Sequence, residues 1–384
     1  MKMRETAEKT ELFAQVKQQA IKLAAVFKER AAHTDTTGEF PYENFQALKE
    51  SNFLSLTVPP EYDGKGLNLS EYLQIQEILA QGDAATALSF GWQLGVILEN
   101  TENRKWDEHS FQDLSYKIVH DKILLNLAQT ENATGSPSRG AAPTTIASSE
   151  GTKWRINGRK SFASIAAALD YSIVTATIHP SGNKGFFLID HSLEGVAVEE
   201  TWDSIAMRGT RSDDIILDDV LVDQEALLVE ENKGTVTPRG WYLQIAAVYL
   251  GIAAAARDYT IQFASELRPA SLPGPIKEVP EVRRKIGEIE LALFNAREVL
   301  YATARKWIDY PEKRSAMSPD LAAAKHIVTN NANHVVDLCM RIVGARSLSA
   351  NNPLQRHFRD VRAGLHNPPT DDAIVYTLAD HALK

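Results

Sequence analysis

The feature that most constrains this chain is a change of hydrophobic period that occurs twice. Near the start, Phe13, Val16, Ala20, Leu23 and Phe27 recur at spacings of three and four, which lines one face of a helix. From about residue 123 that period gives way to short β-rich runs. From about Val236 the helical period returns, with Val282, Ile286, Ile289, Leu293, Ala296 and Leu300 forming one long stripe. An order of α, then β, then α implies a mostly helical α+β chain. The expected parts are an all-α domain over 1–122, a compact antiparallel β domain over 123–233, and a four-helix bundle over 234–384.

Local signals refine this outline. A break follows the first helix at Asp35-Thr36-Thr37-Gly38, and a short helix is expected from Tyr42 to Ser51. Two prolines and two glycines make Val58–Gly66 a loop. Ser70 is the expected N-cap of a helix over Glu71–Gln81, and another helix is expected over Ala84–Glu99. In the β region, Asn157-Gly158 reads as a hairpin turn after Lys153–Ile156. Further strands are expected at Ile123–Leu127, Tyr171–Ile178, Gly185–Asp190, Val196–Trp202 and Asp213–Val222. A helix over Ala322–Val343 follows the proline-bearing loop Arg268–Pro280.

Composition narrows the function classes. The net charge of −9 argues against a general nucleic-acid surface, which needs clustered Lys and Arg. Cys339 is the single cysteine, so neither an intrachain disulfide nor a thiolate metal cluster is available. It reads as a small buried hydrophobe in an apolar helical run. The N-terminus is charged, and the longest apolar run, Ile245–Ala256, is shorter than the roughly 18 residues a membrane span needs. A soluble, cytoplasmic protein with no metal is the expectation.

The familiar phosphate-loop and dinucleotide signatures are absent, as are the zinc-protease and nucleophile-elbow motifs. Three other runs carry chemistry. Leu127–Ser136 follows a strand and is rich in small polar residues, whose N–H groups and hydroxyls suit a ring edge or a phosphate. In Gly158–Ser164, regular alternation would put Phe162 and Ser164 on one face, an aromatic ring beside a hydroxyl. Trp202–Ser212 is a turn that leads into the strand ending Asp218-Asp219-Val220.

In this order, the three runs resemble the acyl-CoA dehydrogenase family. Its middle domain carries a T-E-x-x-x-G-S loop, an aromatic-x-[ST] strand and a W-x-x-x-G-x-R-x-[ST]-x-S run before D-D-V. Arg268, Gly344-Ala345 and Arg356-His357-Phe358-Arg359-Asp360 extend the resemblance towards the C-terminus. It implies a helical domain, a middle β-barrel and a helical bundle, with FAD as cofactor. Thr130 would bond the flavin edge, and Gly135 and Ser136 would lie by phosphates. Phe162 would pack beside the isoalloxazine, with Ser164 near its N5 edge. Arg268 would reach the FAD of a neighbouring subunit in a homodimer or homotetramer, Gly344 would lie near the same cofactor, and Thr370 near the diphosphate. The implied reaction is α,β-dehydrogenation of an acyl-CoA thioester in fatty acid metabolism. An electron-transfer flavoprotein or O2 would accept the electrons.

One departure matters. The family's usual catalytic glutamate falls at Pro368, which cannot accept a proton. The position some members use instead, on the first bundle helix, falls at Trp241. Asp371 or Asp372 either takes the base's role or caps the following helix. The alternative reading is a flavin monooxygenase of the same fold, with Ser164 at the peroxide and His366 moving protons. Trp92-Gln93 stands where such enzymes often place another histidine. A third reading is a binding protein that kept the fold and lost the chemistry.

Overall fold

The computed structural model describes residues 2–135, 141–232 and 237–384, with side chains from residue 7 onward. The first helix, α1, runs Lys2–Thr37 and buries Val16, Ala20, Leu23 and Phe27, the stripe read from the sequence. It stops at Gly38, whose φ of +71° suits a residue without Cβ. Helices α2 (Tyr42–Glu50), α3 (Leu69–Gly82), α4 (Ala84–Asn103) and α5 (Glu108–Tyr116) complete the N-terminal region. The cap of α3 is Asn68, not Ser70. The Asn68 side chain accepts from Glu71 N at 3.0 Å while Glu71 reaches back to Asn68 N at 2.8 Å. This reciprocal box satisfies two orphan donors, and a serine two residues later lies already inside the helix. Helix α4 is apolar almost all round, so it is a central element, packed on α3, α6 and the first strand.

Among the described residues eight strands form one sheet: β1 (Leu125–Ala128), β2 (Ile146–Glu150), β3 (Lys153–Ala163), β4 (Tyr171–His179), β5 (Lys184–Asp190), β6 (Val196–Glu199), β7 (Asp213–Asp223) and β8 (Leu227–Glu231). The sheet is mixed where an antiparallel one was expected. One edge of β4 takes β5; the other is shared by β1 and then β2, both parallel to it. The path of pairings runs from β6 to β8. Parallel pairing needs long connections, and the stretch after β1 supplies one that short gaps between apolar runs do not reveal.

The expected hairpin at Asn157-Gly158 is also corrected. Strand β3 passes straight through it, and the chain reverses instead beside Gly151, at φ +63°. Asn157-Gly158 is a bulge, where the register with β7 shifts. The Asn157 side chain accepts from Asp219 N at 2.8 Å. A Cβ on Gly158 would lie 2.4 Å from Thr145 Oγ1, so glycine serves close approach there.

The C-terminal helices are α6 (Leu243–Glu266), α7 (Pro280–Asp309), α8 (Ser318–Val343), α9 (Pro353–His366) and α10 (Asp371–Ala382). Helix α6 packs against α7, α8 and α9, and also against α3 and α4. The two helical regions therefore share one hydrophobic core. Cys339 is fully buried in it, and burial pushes its thiol up to about 12, which makes it inert. Among the described residues no helix is long and apolar enough to cross a membrane.

Candidate active site

The site begins at the end of β3. Phe162 has φ +58° and is 61 % exposed, whereas Ser164 is only 7 % exposed. They do not share a face as regular alternation predicts, because the ladder with β7 is irregular between Lys160 and Ala163. The outcome is an aromatic ring held outward, edge-on to Trp202 at 6.1 Å. Two residues on begins a chain of hydroxyls: Ser164 Oγ lies 3.0 Å from Ser212 Oγ, which lies 2.9 Å from Thr210 Oγ1. Two bonds to backbone carbonyls fix this chain, Asn126 Nδ2 to Ser164 O at 2.8 Å and Ile165 N to Thr210 O at 2.8 Å. Thr130 joins the same patch, since its carbonyl accepts from Ser161 N at 2.8 Å.

A buried ion pair underpins the patch. Lys160 is fully buried and its Nζ lies 2.5 Å from Glu131 Oε1. Thr144 and Thr145 add donors to the same carboxylate, through their N–H groups at 2.6 and 3.1 Å and their hydroxyls at 2.5 and 2.7 Å. Burial alone would raise the Glu131 carboxyl, but Lys160 and the Thr144 donors outweigh it and hold it at about 2. Burial lowers Lys160 to about 8 against the pull of Glu131. Both stay charged at neutral pH. The pair clamps the loop of Thr130 to the strand of Phe162. Gly135 closes that loop at φ +71°, donating to Glu131 O at 2.7 Å. Ser136 lies outside the described residues.

The expected catalytic residues near α9 are placed differently. His366 ends α9, is exposed, and has no hydrogen-bond or ionic partner among the described residues. Asp371 neither reaches the sheet nor caps α10. It accepts from Asn330 Nδ2 at 2.7 Å and lies 3.4 Å from Lys325 Nζ, so helix α8 holds it. The cap position of α10 is Thr370, which makes no side-chain capping bond. Gly344 terminates α8 at φ +69° with open space around it. Arg268 is exposed and unpaired among the described residues. Asp360 acts structurally, because its Oδ1 accepts from Met207 N at 2.6 Å and so fixes the turn that carries Thr210 and Ser212. Burial pushes this carboxyl up to about 7, against the Met207 N–H that favours its charge.

Beside the patch, a small cleft of about 30 Å³ lies between α4 and the sheet. Its walls include Val96, Leu127, Ile173, Phe186 and Val229, and its polar groups are Arg239, Glu99, Glu231 and Lys105. Trp241 is buried next to it, donating its indole N–H to Glu99 Oε2 at 2.9 Å and meeting Trp92 edge-on at 5.7 Å. Sequence reasoning missed this cleft and the Glu131–Lys160 pair, and it gave Ser212 no role of its own. A lysine at an inward position of a strand was the one available signal for the last.

A helical, sheet and helical architecture with an outward aromatic ring beside buried hydroxyls defines a flavin-dependent oxidoreductase. The ring fits a flat heterocycle, and the indole N–H of neighbouring Trp202 is buried without a partner among the described residues. Residues 6–102, 126–220 and 243–367 match the N-terminal, middle and C-terminal domains of acyl-CoA dehydrogenase, and the chain belongs to that family. The acyl-CoA dehydrogenase candidate YdbM of Bacillus subtilis (strain 168) is 48 % identical over 94 % of this chain and 95 % of its own. A 3-(aryl)acrylate reductase of Clostridium sporogenes (strain ATCC 15579) is 29 % identical, over 94 % of this chain and 97 % of its own. The solved butyryl-CoA dehydrogenase of Megasphaera elsdenii shares the fold, with a TM-score of 0.83 at 21 % identity over 96 % of this chain and 98 % of its own.

Proposed function

We propose that this chain exchanges a hydride between FAD and the β-carbon of an acyl substrate, as in α,β-dehydrogenation of an acyl-CoA. The observation that carries this reading is the outward ring of Phe162, two residues before Ser164 of the Ser164–Ser212–Thr210 hydroxyl chain. The likeness to YdbM along nearly the whole chain supports it. Bound flavin would supply the hydride chemistry. Phe162 would shelter one side of its ring, Thr130 would bond its edge, and Ser164 would hold a hydrogen bond near N5. Gly135, Gly344 and Thr370 would line the cofactor's remaining length. Arg268, free of intrachain partners among the described residues, would reach the FAD of a neighbouring copy, so a homodimer or homotetramer is the working assembly. An electron-transfer flavoprotein or O2 would take the electrons.

Oxygenation is the weaker reading. His366 sits exposed at a helix end, and Trp92 is packed edge-on to Trp241 where a second histidine would stand. The test is anaerobic addition of saturated acyl-CoA thioesters of graded length to the flavin-loaded protein. Bleaching of the flavin absorbance by at least one of them is expected. If none bleaches it, while chemically reduced protein and O2 give a transient peroxyflavin spectrum, dehydrogenation is excluded.

A further inference from the structure

We infer that Asp35 and Arg359 are positioning residues for the flavin site, acting on Ser212 through the turn at residues 204–212. The base of that turn is tied to β7, where Asp213 Oδ1 accepts from Thr201 N and Trp202 N at 2.9 Å each. Its tip, residues 204–208, is held differently. Among the described residues, every hydrogen bond from the tip to a distant segment ends on Asp35, Arg359 or Asp360. Arg359 Nη1 donates to Ile205 O at 2.5 Å, Arg208 Nε donates to Asp35 O at 2.6 Å, and Met207 N donates to Asp360 Oδ1 at 2.6 Å. Arg359 also grips the Asp35 carboxylate with both arms, Nη1 to Oδ1 at 2.9 Å and Nη2 to Oδ2 at 2.5 Å. A two-armed bond of this kind fixes direction as well as distance. The end of α1 and the middle of α9 together form a latch on the tip.

The tip passes its position on to the hydroxyls. Thr210 N donates to Met207 O at 3.0 Å, so a displacement at Met207 reaches Thr210. Met207 and Arg211 both have left-handed backbone, at φ +52° and +41°, a strained form that persists only where its surroundings impose it. A Cβ on Gly209 would lie 2.4 Å from Thr34 Cγ2, so α1 also abuts the turn directly. Beyond it, Ser212 bonds both Thr210 and Ser164. With flavin beside Ser164, a placement that rests on the functional reading above, the latch sets the geometry of the hydroxyl chain and through it the hydrogen bond near N5.

The test is the midpoint potential of the flavin in the flavin-loaded full-length protein, measured by slow enzymatic reduction against a reference dye. Arg359→Met should shift the reduction equilibrium about fivefold, which is about 20 mV for a two-electron couple. Ser212→Ala should shift it in the same direction. The double variant should shift no further than the larger single one, because both changes act through one chain of contacts. Asp35→Asn, which keeps the shape and removes the charge, carries the test if Arg359→Met fails to fold. A purely structural pair would lower the melting temperature and leave the potential alone. An unchanged potential in Ser212→Ala or in either folded latch variant, or shifts that add in the double variant, would overturn the inference. No acyl-CoA enters this measurement. A shifted potential without bleaching by any acyl-CoA would sink dehydrogenation alone, and bleaching with an unshifted potential would sink the latch alone.

Discussion

Glu131 and Glu99 both face a cation away from bulk water, yet their surroundings differ. Glu131 receives Lys160 and four further donors from Thr144 and Thr145, none beyond 3.1 Å. Glu99 meets Arg239 at 3.3 Å, and its one close bond comes from Trp241. A buried pair withstands desolvation only when its remaining lone pairs and protons are satisfied. The first pair meets that condition and fastens two segments together. The second does not, and its guanidinium is held only by long contacts to Glu99, Tyr242 and Gln129.

The sharpest way to break this contrast is Lys160→Met. It leaves Glu131 buried without its cation and should cost about 3–5 kcal/mol, read as a large loss in chemical denaturation. Pairing it with Glu131→Gln should recover much of that loss. If Lys160→Met melts like the parent, the clamp is misassigned. Acid titration gives the next test. The Glu131 carboxyl sits at about 2 in the fold against an ordinary 4.5, so its stabilisation is full above pH 4.5 and disappears as pH falls through 2. Glu131→Gln should flatten that acid limb.

Asp360 runs in the opposite direction. Its carboxyl is raised from 3.8 to about 7, so its contribution is full below pH 3.8 and is lost as pH rises through 7. Asp360→Asn keeps an acceptor for Met207 N and should lose less stability between pH 4 and 7 than the parent does. Equal slopes in thermal melts across that range would refute this. The smallest effect is expected from Ser212→Ala. Removing one hydroxyl from behind Ser164 should slow flavin reduction about fivefold while flavin stays bound, in line with about 1 kcal/mol for a hydrogen bond. An unchanged rate would show that the hydroxyl chain only packs.

The helical stripes were legible because period is a local property: Val16, Ala20, Leu23 and Phe27 are buried as their spacing requires. The motif order was legible too, since Thr130, Phe162 and Ser164 converge at one end of the sheet. The bulge at Asn157-Gly158 was not, because an Asn-Gly pair serves a turn and a close approach equally well, and only Thr145, just before the neighbouring strand β2, decides between them. Nor was the cleft, whose Arg239 and Gln129 stand 110 residues apart. The capping role read for Asp371 fails for a related reason. Its partners Lys325 and Asn330 sit on another helix, and nothing near Asp371 in sequence announces them.

Phe162 carries a wider consequence. Its left-handed backbone costs on the order of 1–3 kcal/mol in a non-glycine residue, and its ring meets water until something covers it. Any planar ligand that shelters the ring offsets both costs and draws the folding equilibrium towards the native state by mass action. Supply of the yellow cofactor would then govern how much of this polypeptide survives in a cell, as well as how fast it turns over.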